Sequence, residues 1–187
     1  MRTAAGMFGV VLTLVVMAGG CQKPSGCAGL SNLDTDSNNN GFPDLLPPDG
    51  VEFTEERNLR ISIINTLTEN DLEPFAAEAG VSPSLVSLAD FLVEFRFNIE
   101  YEDGSTQTIC ETEPLRAFEF FFEIACPAGA DLDLVLIAFA PVVGTEITRV
   151  PLALSLDTVD YECGQSVEFI TTIDEDGELI QTINVAD

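Results

Sequence analysis

The clearest pattern in the chain is the strict alternation of apolar and polar residues in LVEFRFNIEY, residues 92–101. Successive side chains of an extended strand point to opposite faces. This segment therefore predicts a strand with one polar face and one buried face, the latter formed by Val93, Phe95, Phe97, Ile99 and Tyr101.

The segment EDGS follows this strand and predicts a tight turn. Asp103-Gly104 can adopt the positive φ values of a two-residue hairpin turn. A turn of that length would place Thr106, Thr108 and Cys110 opposite the apolar residues of the preceding strand.

Several later segments also have the pattern of apolar residues and turn residues that is typical of strands. AFEFFFEIAC has an apolar face made of Phe118, Phe120, Phe122, Ile124 and Cys126, with Glu119 and Glu123 among the residues opposite. LDLVLIAFA, residues 132–140, is apolar on both faces and predicts a central strand. Further strands are predicted at LRISII (59–64), PLALSL (151–156) and SVEFITTI (166–173), the last leading into a second hairpin around Asp176-Gly177.

One segment, between Thr68 and Ala89, predicts a short helix instead. Thr68 or Asn70 can cap its start, and Gly80 can end it. The fold class predicted is all-β, a β-sandwich of immunoglobulin-like or related Greek-key type with about seven or eight strands and this one helix. The chain has no tryptophan, so the Cys…Trp…Cys signature of true immunoglobulin domains is missing.

The amino terminus, MRTAAGMFGVVLTLVVMAGGC, has Arg2, then an apolar run, then small residues before Cys21. The run is too short to favour a spanning helix and suits the h-region of an export signal. The small residues before Cys21 resemble the lipobox of bacterial lipoproteins, whose cysteine is lipidated and becomes the mature amino terminus. The resemblance implies a signal peptide over residues 1–20 and an exported, lipid-anchored protein of the bacterial cell envelope, at the outer membrane or the periplasmic face. The alternative is a plain secretory signal or an uncleaved anchor.

Composition changes after this signal. Residues 21–50 are rich in Pro, Gly, Ser, Asn and Asp, which predicts an irregular linker. Residues 51–187 carry the strand patterns and are predicted to form the β-sandwich domain.

The cysteine count fits an exported protein. If Cys21 carries lipid, an even set remains for disulfides in an oxidising compartment, namely Cys27, Cys110, Cys126 and Cys163. Cys110 and Cys126 fall on predicted inward faces near the ends of consecutive strands, which favours a Cys110–Cys126 bond and leaves Cys27–Cys163 to fasten the linker. Sequence cannot choose among the three pairings that four cysteines allow.

The linker contains a candidate calcium loop in DTDSNNNGFPD, residues 34–44. Counting from Asp36, oxygen ligands stand at positions 1, 3, 5 and 9, glycine stands at position 6, and the Phe42 carbonyl is available at position 7. The loop resembles the DxDxDGxxD loops of thrombospondin type 3 repeats and of bacterial calcium-binding linkers. That resemblance implies a weak structural calcium site with ligands drawn from Asp34, Asp36, Asn38, Asn40, Phe42 and Asp44.

Two departures from the pattern bear on affinity. Position 12 is Pro47 rather than a carboxylate, so Asp34, Asp49 or water would have to complete the shell. Asparagine at positions 3 and 5 lowers the ligand charge, which predicts a dissociation constant on the order of 10⁻⁴–10⁻³ M. The alternative is a flexible, solvated spacer that binds no metal.

Charge narrows the function. With 32 acidic and seven basic residues the chain has a formal charge of −25, so no nucleic-acid partner is expected. The absence of histidine removes the common general base and argues against zinc or copper chemistry. We expect a binding or structural module rather than an enzyme, held at the membrane by its lipid and facing an unidentified protein or glycan partner. The alternative is a glycosidase-like hydrolase that uses paired carboxylates, although acidic residues are too abundant for any pair to be diagnostic.

Overall fold

A computed structural model describes residues 26–33, 36–54, 56–68, 70–73, 77, 82, 91–114, 118–139, 146–175 and 178–187. Within these ranges the chain is an all-β sandwich of two five-stranded sheets. In chain order the strands are β1 Cys27–Ala28, β2 Asp44–Leu45, β3 Asn58–Asn65, β4 Phe91–Glu100, β5 Thr106–Pro114, β6 Phe118–Ala125, β7 Gly129–Phe139, β8 Glu146–Ser155, β9 Ser166–Ile173 and β10 Leu179–Ala186. Short 3₁₀ turns are described at Leu30–Asn32, Asn70–Leu72 and Leu156–Thr158.

The strand order confirms the predicted sandwich. The first sheet has the order β1-β5-β4-β7-β8 and the second the order β10-β9-β3-β6-β2. Strand β7 lies between β4 and β8, as its two apolar faces predicted.

The core between the sheets is made by the inward faces of the alternating strands. Phe97 of β4 is fully buried and lies 5.9 Å from the Phe122 ring and 5.4 Å from the Phe169 ring, both in the opposite sheet. Both pairs are edge-to-face, a favourable arrangement for aromatic rings. The apolar stripe read from LVEFRFNIEY is therefore the buried face, as predicted.

The hairpin between β4 and β5 is confirmed, but its predicted register is wrong. The Gly104 amide donates to the Tyr101 carbonyl at 2.9 Å, and the Tyr101 amide donates to the Ser105 carbonyl at 3.0 Å. The loop between these two residues thus has three residues rather than two, and Gly104 takes a φ of +80°. The extra residue shifts the pairing by one, so Phe97 faces Ile109 and Cys110 faces Arg96.

The other expected elements have mixed outcomes. Strands β9 and β10 form the predicted antiparallel hairpin, although Asp176 and Gly177 lie outside the described residues. Most of the segment predicted to be helical also lies outside them, and its described part contains the 3₁₀ turn Asn70–Leu72. None of the described helices is long and apolar enough to span a membrane.

All four expected cysteines form disulfides, but the favoured pairing is wrong. The bonds are Cys27–Cys110 and Cys126–Cys163, with Cα–Cα distances of 5.9 and 5.5 Å. The register shift turns Cys110 to the outer face of its sheet, where β1 pairs with β5 and brings Cys27 beside it.

The second disulfide follows from where two chain segments meet β3. The Cys126 amide donates to the Arg57 carbonyl, and the Gly164 amide, next to Cys163, donates to the Asn58 carbonyl. Cys126 and Cys163 are therefore brought to the same end of β3.

The segment predicted to be a linker contributes to the folded unit. Strand β1 pairs in parallel with β5, and β2 pairs in parallel with β6. Leu33 and Leu45 are buried in the hydrophobic core. The candidate calcium loop lies between these two leucines, so both of its ends are attached to the sandwich.

Candidate metal centre

The candidate calcium loop packs on the outer face of the second sheet. Asp44 of β2, Glu123 of β6 and Arg60 of β3 are register partners across three adjacent strands. Register partners project to the same side of a sheet. These three side chains therefore form a row, which we call the Glu123 row, and the loop of residues 36–42 covers it.

Asp36 organises the loop by accepting backbone hydrogen bonds. The Asn40 amide donates to its Oδ1 at 3.0 Å, and the Gly41 amide donates to its Oδ2 at 2.9 Å. Gly41 has a φ of +92°, in the left-handed region that glycine adopts at no steric cost. The glycine at position 6 is thus required by the backbone, as the loop pattern predicted.

Asn38 and Asn40 connect the loop to the sheet. Their Oδ1 atoms accept hydrogen bonds within the loop, from the Asn40 amide at 3.2 Å and the Phe42 amide at 2.9 Å. Their Nδ2 atoms donate to Glu123, at 3.1 Å from Asn38 and 2.7 Å from Asn40. Both asparagines therefore point from the loop to one carboxylate.

Glu123 is fully buried and accepts four hydrogen bonds. Besides the two loop asparagines, Asn58 Nδ2 donates to Oε2 at 2.7 Å and Arg60 Nε donates to Oε1 at 2.9 Å. Burying a carboxylate is costly unless it is paired and hydrogen-bonded, and these donors meet that condition. Glu123 was not predicted as a site residue; its only sequence signal is an acidic residue on the polar face of an otherwise apolar strand.

Asp44 is also buried, at 2% exposure, but only one of its oxygens has a partner. The Ser37 amide donates to Oδ2 at 2.6 Å, and the Ser37 hydroxyl donates to the same oxygen. Its Oδ1 is buried with no hydrogen-bond partner. Leaving a buried acceptor without a partner costs about 1–3 kcal/mol, and more for a charged group.

Phe42 holds the end of the loop against the sheet. The Arg60 guanidinium lies 4.9 Å from the centre of the Phe42 ring, a cation–π contact. On another side the ring meets Phe121 edge-to-face, with centroids 5.6 Å apart. Arg60 therefore contacts both the buried carboxylate and the loop that covers it.

The chemistry of these residues fits a hard cation such as calcium. Asp36, Asp44 and Glu123 are three carboxyl groups, and Arg60 is the one basic side chain among the contacts described above. Among the described residues no three Asp, Glu, His or Cys side chains are grouped closely enough to hold a metal by themselves. A site here would therefore depend on amide and backbone oxygens as well, and Asp44 Oδ1, which has no hydrogen-bond partner, is one oxygen that a cation could bind.

The structure brings together most of the predicted ligand residues. Asn38 and Asn40 meet at Glu123, Asp44 is its neighbour in the sheet, and Asp36 binds the loop backbone. Phe42 takes part through its ring. Asp34 and Cys21 lie outside the described residues.

Three of the surface cavities formed by the described residues lie elsewhere. The largest, about 480 Å³, is lined by Val159, Asp160, Tyr161, Glu162 and Gln165. The other two have volumes of about 220 and 250 Å³; the first opens beside the β4–β5 turn, and the second is lined by residues of the neighbouring strands β5, β4 and β7. None of the three is lined by Asp44 or Glu123.

Comparison with known proteins adds no family. No protein-family model matches this chain, and no curated protein matches it.

Proposed function

We propose that this chain is an exported protein of the bacterial cell envelope, anchored by lipid on Cys21, that presents its sandwich as a binding or structural module and carries a weak structural calcium site. The observation that carries the proposal is the Cys27–Cys110 disulfide. Disulfides form and persist in oxidising compartments outside the cytosol. Together with Cys126–Cys163 this bond uses four of the five cysteines, and Cys21 is the one that remains for lipid.

The same disulfide sets the distance between the lipid and the sandwich. Cys27 is six residues beyond Cys21, and six extended residues span at most about 20 Å. Cys27 is bonded to β5, so a lipid on Cys21 would hold this part of β5 within about that distance of the bilayer surface. The protein would then act close to the membrane rather than at the end of a long stalk.

Charge favours a particular kind of partner. A formal charge of −25 repels anionic lipid head groups and nucleic acid, and it attracts cations and basic surfaces. The partner proposed is therefore an envelope protein or glycan that tolerates or complements a strongly acidic surface.

Calcium in the loop of residues 36–44 would have a structural role. The loop joins the core residues Leu33 and Leu45 and covers the Glu123 row. A bound calcium would offset the excess negative charge there and hold the membrane-proximal segment against the sheet.

A hydrolase is not favoured by the two buried carboxylates. Each Glu123 oxygen already accepts two hydrogen bonds, and the loop covers the side chain completely. A catalytic carboxylate must reach substrate or water. The module is the better interpretation of this site.

The anchor is tested by expressing the full chain and its Cys21→Ser variant in a bacterium. The wild-type protein is expected in the membrane fraction, with an intact mass that starts at Cys21 and includes a diacylglyceryl group and an acyl chain. The variant is expected to lose both the lipid mass and the processing at that position. A wild-type protein with an unlipidated amino terminus at any other residue would overturn the proposal.

A further inference from the structure

The candidate loop lacks its last ligand because of where the chain goes after position 9. Asp44 and Leu45 pair with β6, Leu45 enters the core, and position 12 is Pro47. Pro47 cannot supply a side-chain oxygen. In loops of this kind position 12 provides a bidentate carboxylate, so a carboxylate from another part of the chain could close the shell in its place.

Glu123 lies where that carboxylate is needed. Its oxygens are 2.7 and 3.1 Å from the amide groups of Asn40 and Asn38, the residues at positions 5 and 3. Ligands at positions 3, 5 and 12 of such a loop surround the same ion. Glu123 is remote from the loop in sequence. It nevertheless contacts the side chains at positions 3 and 5, which would bind the same ion as a glutamate at position 12.

Asparagine side chains can contact both the carboxylate and a cation. Their Nδ2 atoms donate to Glu123 and so satisfy that carboxylate without a metal. Each Oδ1 accepts a loop amide through one of its two lone pairs, so the other lone pair could bind a cation shared with Glu123. Asn58 and Arg60 would continue to hold the carboxylate from the sheet.

Asp44 provides the independent sign of a cation. It is 2% exposed, its carboxylate faces the loop through Ser37, and its Oδ1 has no partner. It neighbours Glu123 in the parallel pairing of β2 and β6, so two carboxylates stand side by side against the single charge of Arg60. A divalent cation would neutralise the pair and give the orphaned oxygen a partner.

We propose that Glu123 is the missing carboxylate ligand of the calcium loop and that it acts together with Asp44. This inference rests on the proposed calcium site and adds that the folded sandwich, not the loop alone, completes it. Calcium binding would then require β6 and β2 to be paired, so the ion reports on the folded state and stabilises it.

The test is calorimetric titration with calcium chloride of the protein from Gln22 onward, with its disulfides intact. The variants are E123Q, D36N, the matched control E119Q, which is exposed on the same face of the same strand as Glu123, and D49N, which removes a rival carboxylate for the shell. E123Q and D36N are each expected to weaken calcium binding at least tenfold, while E119Q and D49N stay within about twofold of wild type.

Folding is checked in parallel by circular dichroism in EGTA. A second variant, E123D, keeps the charge and is expected to bind calcium more tightly than E123Q. Thermal unfolding gives a readout that does not depend on the heat of binding: calcium should raise the melting temperature of the wild-type protein and not that of E123Q.

The outcomes separate this inference from the calcium proposal itself. If D36N loses calcium while E123Q binds as tightly as wild type, the loop binds calcium without Glu123 and this inference is wrong. If the wild-type protein shows neither heat nor a change in melting temperature at millimolar calcium, the calcium proposal fails as a whole.

Discussion

Asn40 and Glu123 are 83 residues apart in sequence, yet Asn40 Nδ2 donates to Glu123 Oε1 at 2.7 Å. The first residue belongs to a polar loop before the main strands, and the second belongs to a strand in the middle of the chain. Their contact makes the loop part of the sandwich rather than a tether to it.

Replacing Asn40 by Asp would put another carboxylate against Glu123, in addition to Asp44. Two like charges at that distance repel, so without calcium the free energy of unfolding should fall by about 1–3 kcal/mol. With calcium, the added charge at position 5 should tighten binding and reverse much of the loss. Urea unfolding in EGTA and in millimolar calcium measures both effects.

The control for that substitution is N184D, at an exposed position of β10. It is expected to change stability by less than about 0.5 kcal/mol in either solution. Equal losses for N40D in EGTA and in calcium would contradict a cation at this site.

Each disulfide should contribute substantially to stability. The bonds close segments with separations of 83 and 37 residues, for which chain-entropy arguments give about 4–5 kcal/mol each. The double variant C126S/C163S should lose about that much, as measured by urea unfolding.

Peptide mapping without reduction should recover Cys27 joined to Cys110; recovery of Cys110 joined to Cys126 would contradict the fold.

Two phenylalanines offer a matched pair for the core. Phe97 is fully buried between Phe122 and Phe169, while Phe121 is 44% exposed. Phe97→Ala should lower the free energy of unfolding by about 3–5 kcal/mol because it opens a cavity between the two sheets. Phe121→Ala should cost much less, and similar losses for both variants would contradict the assignment of the inner and outer faces.

Alkaline pH should destabilise the protein through Tyr101. Burial raises the pKa of the Tyr101 phenol well above its usual value, and its hydroxyl donates to Gln107 at 2.7 Å. A pKa that is raised on folding gives stability that is present below the unfolded value of about 10 and is lost as the pH rises above it. Urea unfolding between neutral pH and about pH 11 should show that loss.

The Tyr101→Phe variant tests whether Tyr101 causes this loss of stability at alkaline pH. This variant should be less stable than wild type at neutral pH by about 1 kcal/mol, because it lacks the hydrogen bond to Gln107. Its stability should fall less steeply above pH 10. The residual slope is assigned to Tyr161, whose pKa is also raised, by burial and then by the negative charge of Asp157. An unchanged slope in Tyr101→Phe would show that this phenol does not titrate with unfolding.

The parts of the fold that sequence predicted are those fixed by local periodicity. The alternation through Phe95, Phe97 and Ile99 determined the buried face of β4, because a shift of the strand by one residue would expose all of these side chains. The hairpin at Gly104 was also predictable, but its register was not. The same Asp-Gly pair fits a loop of two residues or a loop of three, and the two loops differ by one residue in strand pairing. The three-residue loop places Cys110 opposite Arg96 on the outer face of the sheet.

The candidate site was likewise predictable from the sequence only where the contacts are local. The roles of Asp36 and Gly41 follow from spacing within nine residues, since the bonds that shape the loop are local. Glu123 could not be identified because its role depends on β2 pairing with β6, a contact between distant segments. No local pattern distinguishes it from Glu119 on the same face of the strand.

Hydrogen–deuterium exchange of the loop amides, measured by mass spectrometry in calcium and in EGTA, tests the central claim most directly. The amides of Asn40 and Gly41 are bonded to Asp36, and that of Phe42 to Asn40. If the loop is fastened to the Glu123 row and completed by calcium, peptides covering residues 36–44 should exchange slowly in EGTA. They should exchange about tenfold or more slowly again in about 10 mM calcium, a concentration well above the expected dissociation constant. Exchange as rapid as that of an unstructured peptide in both solutions would contradict the account.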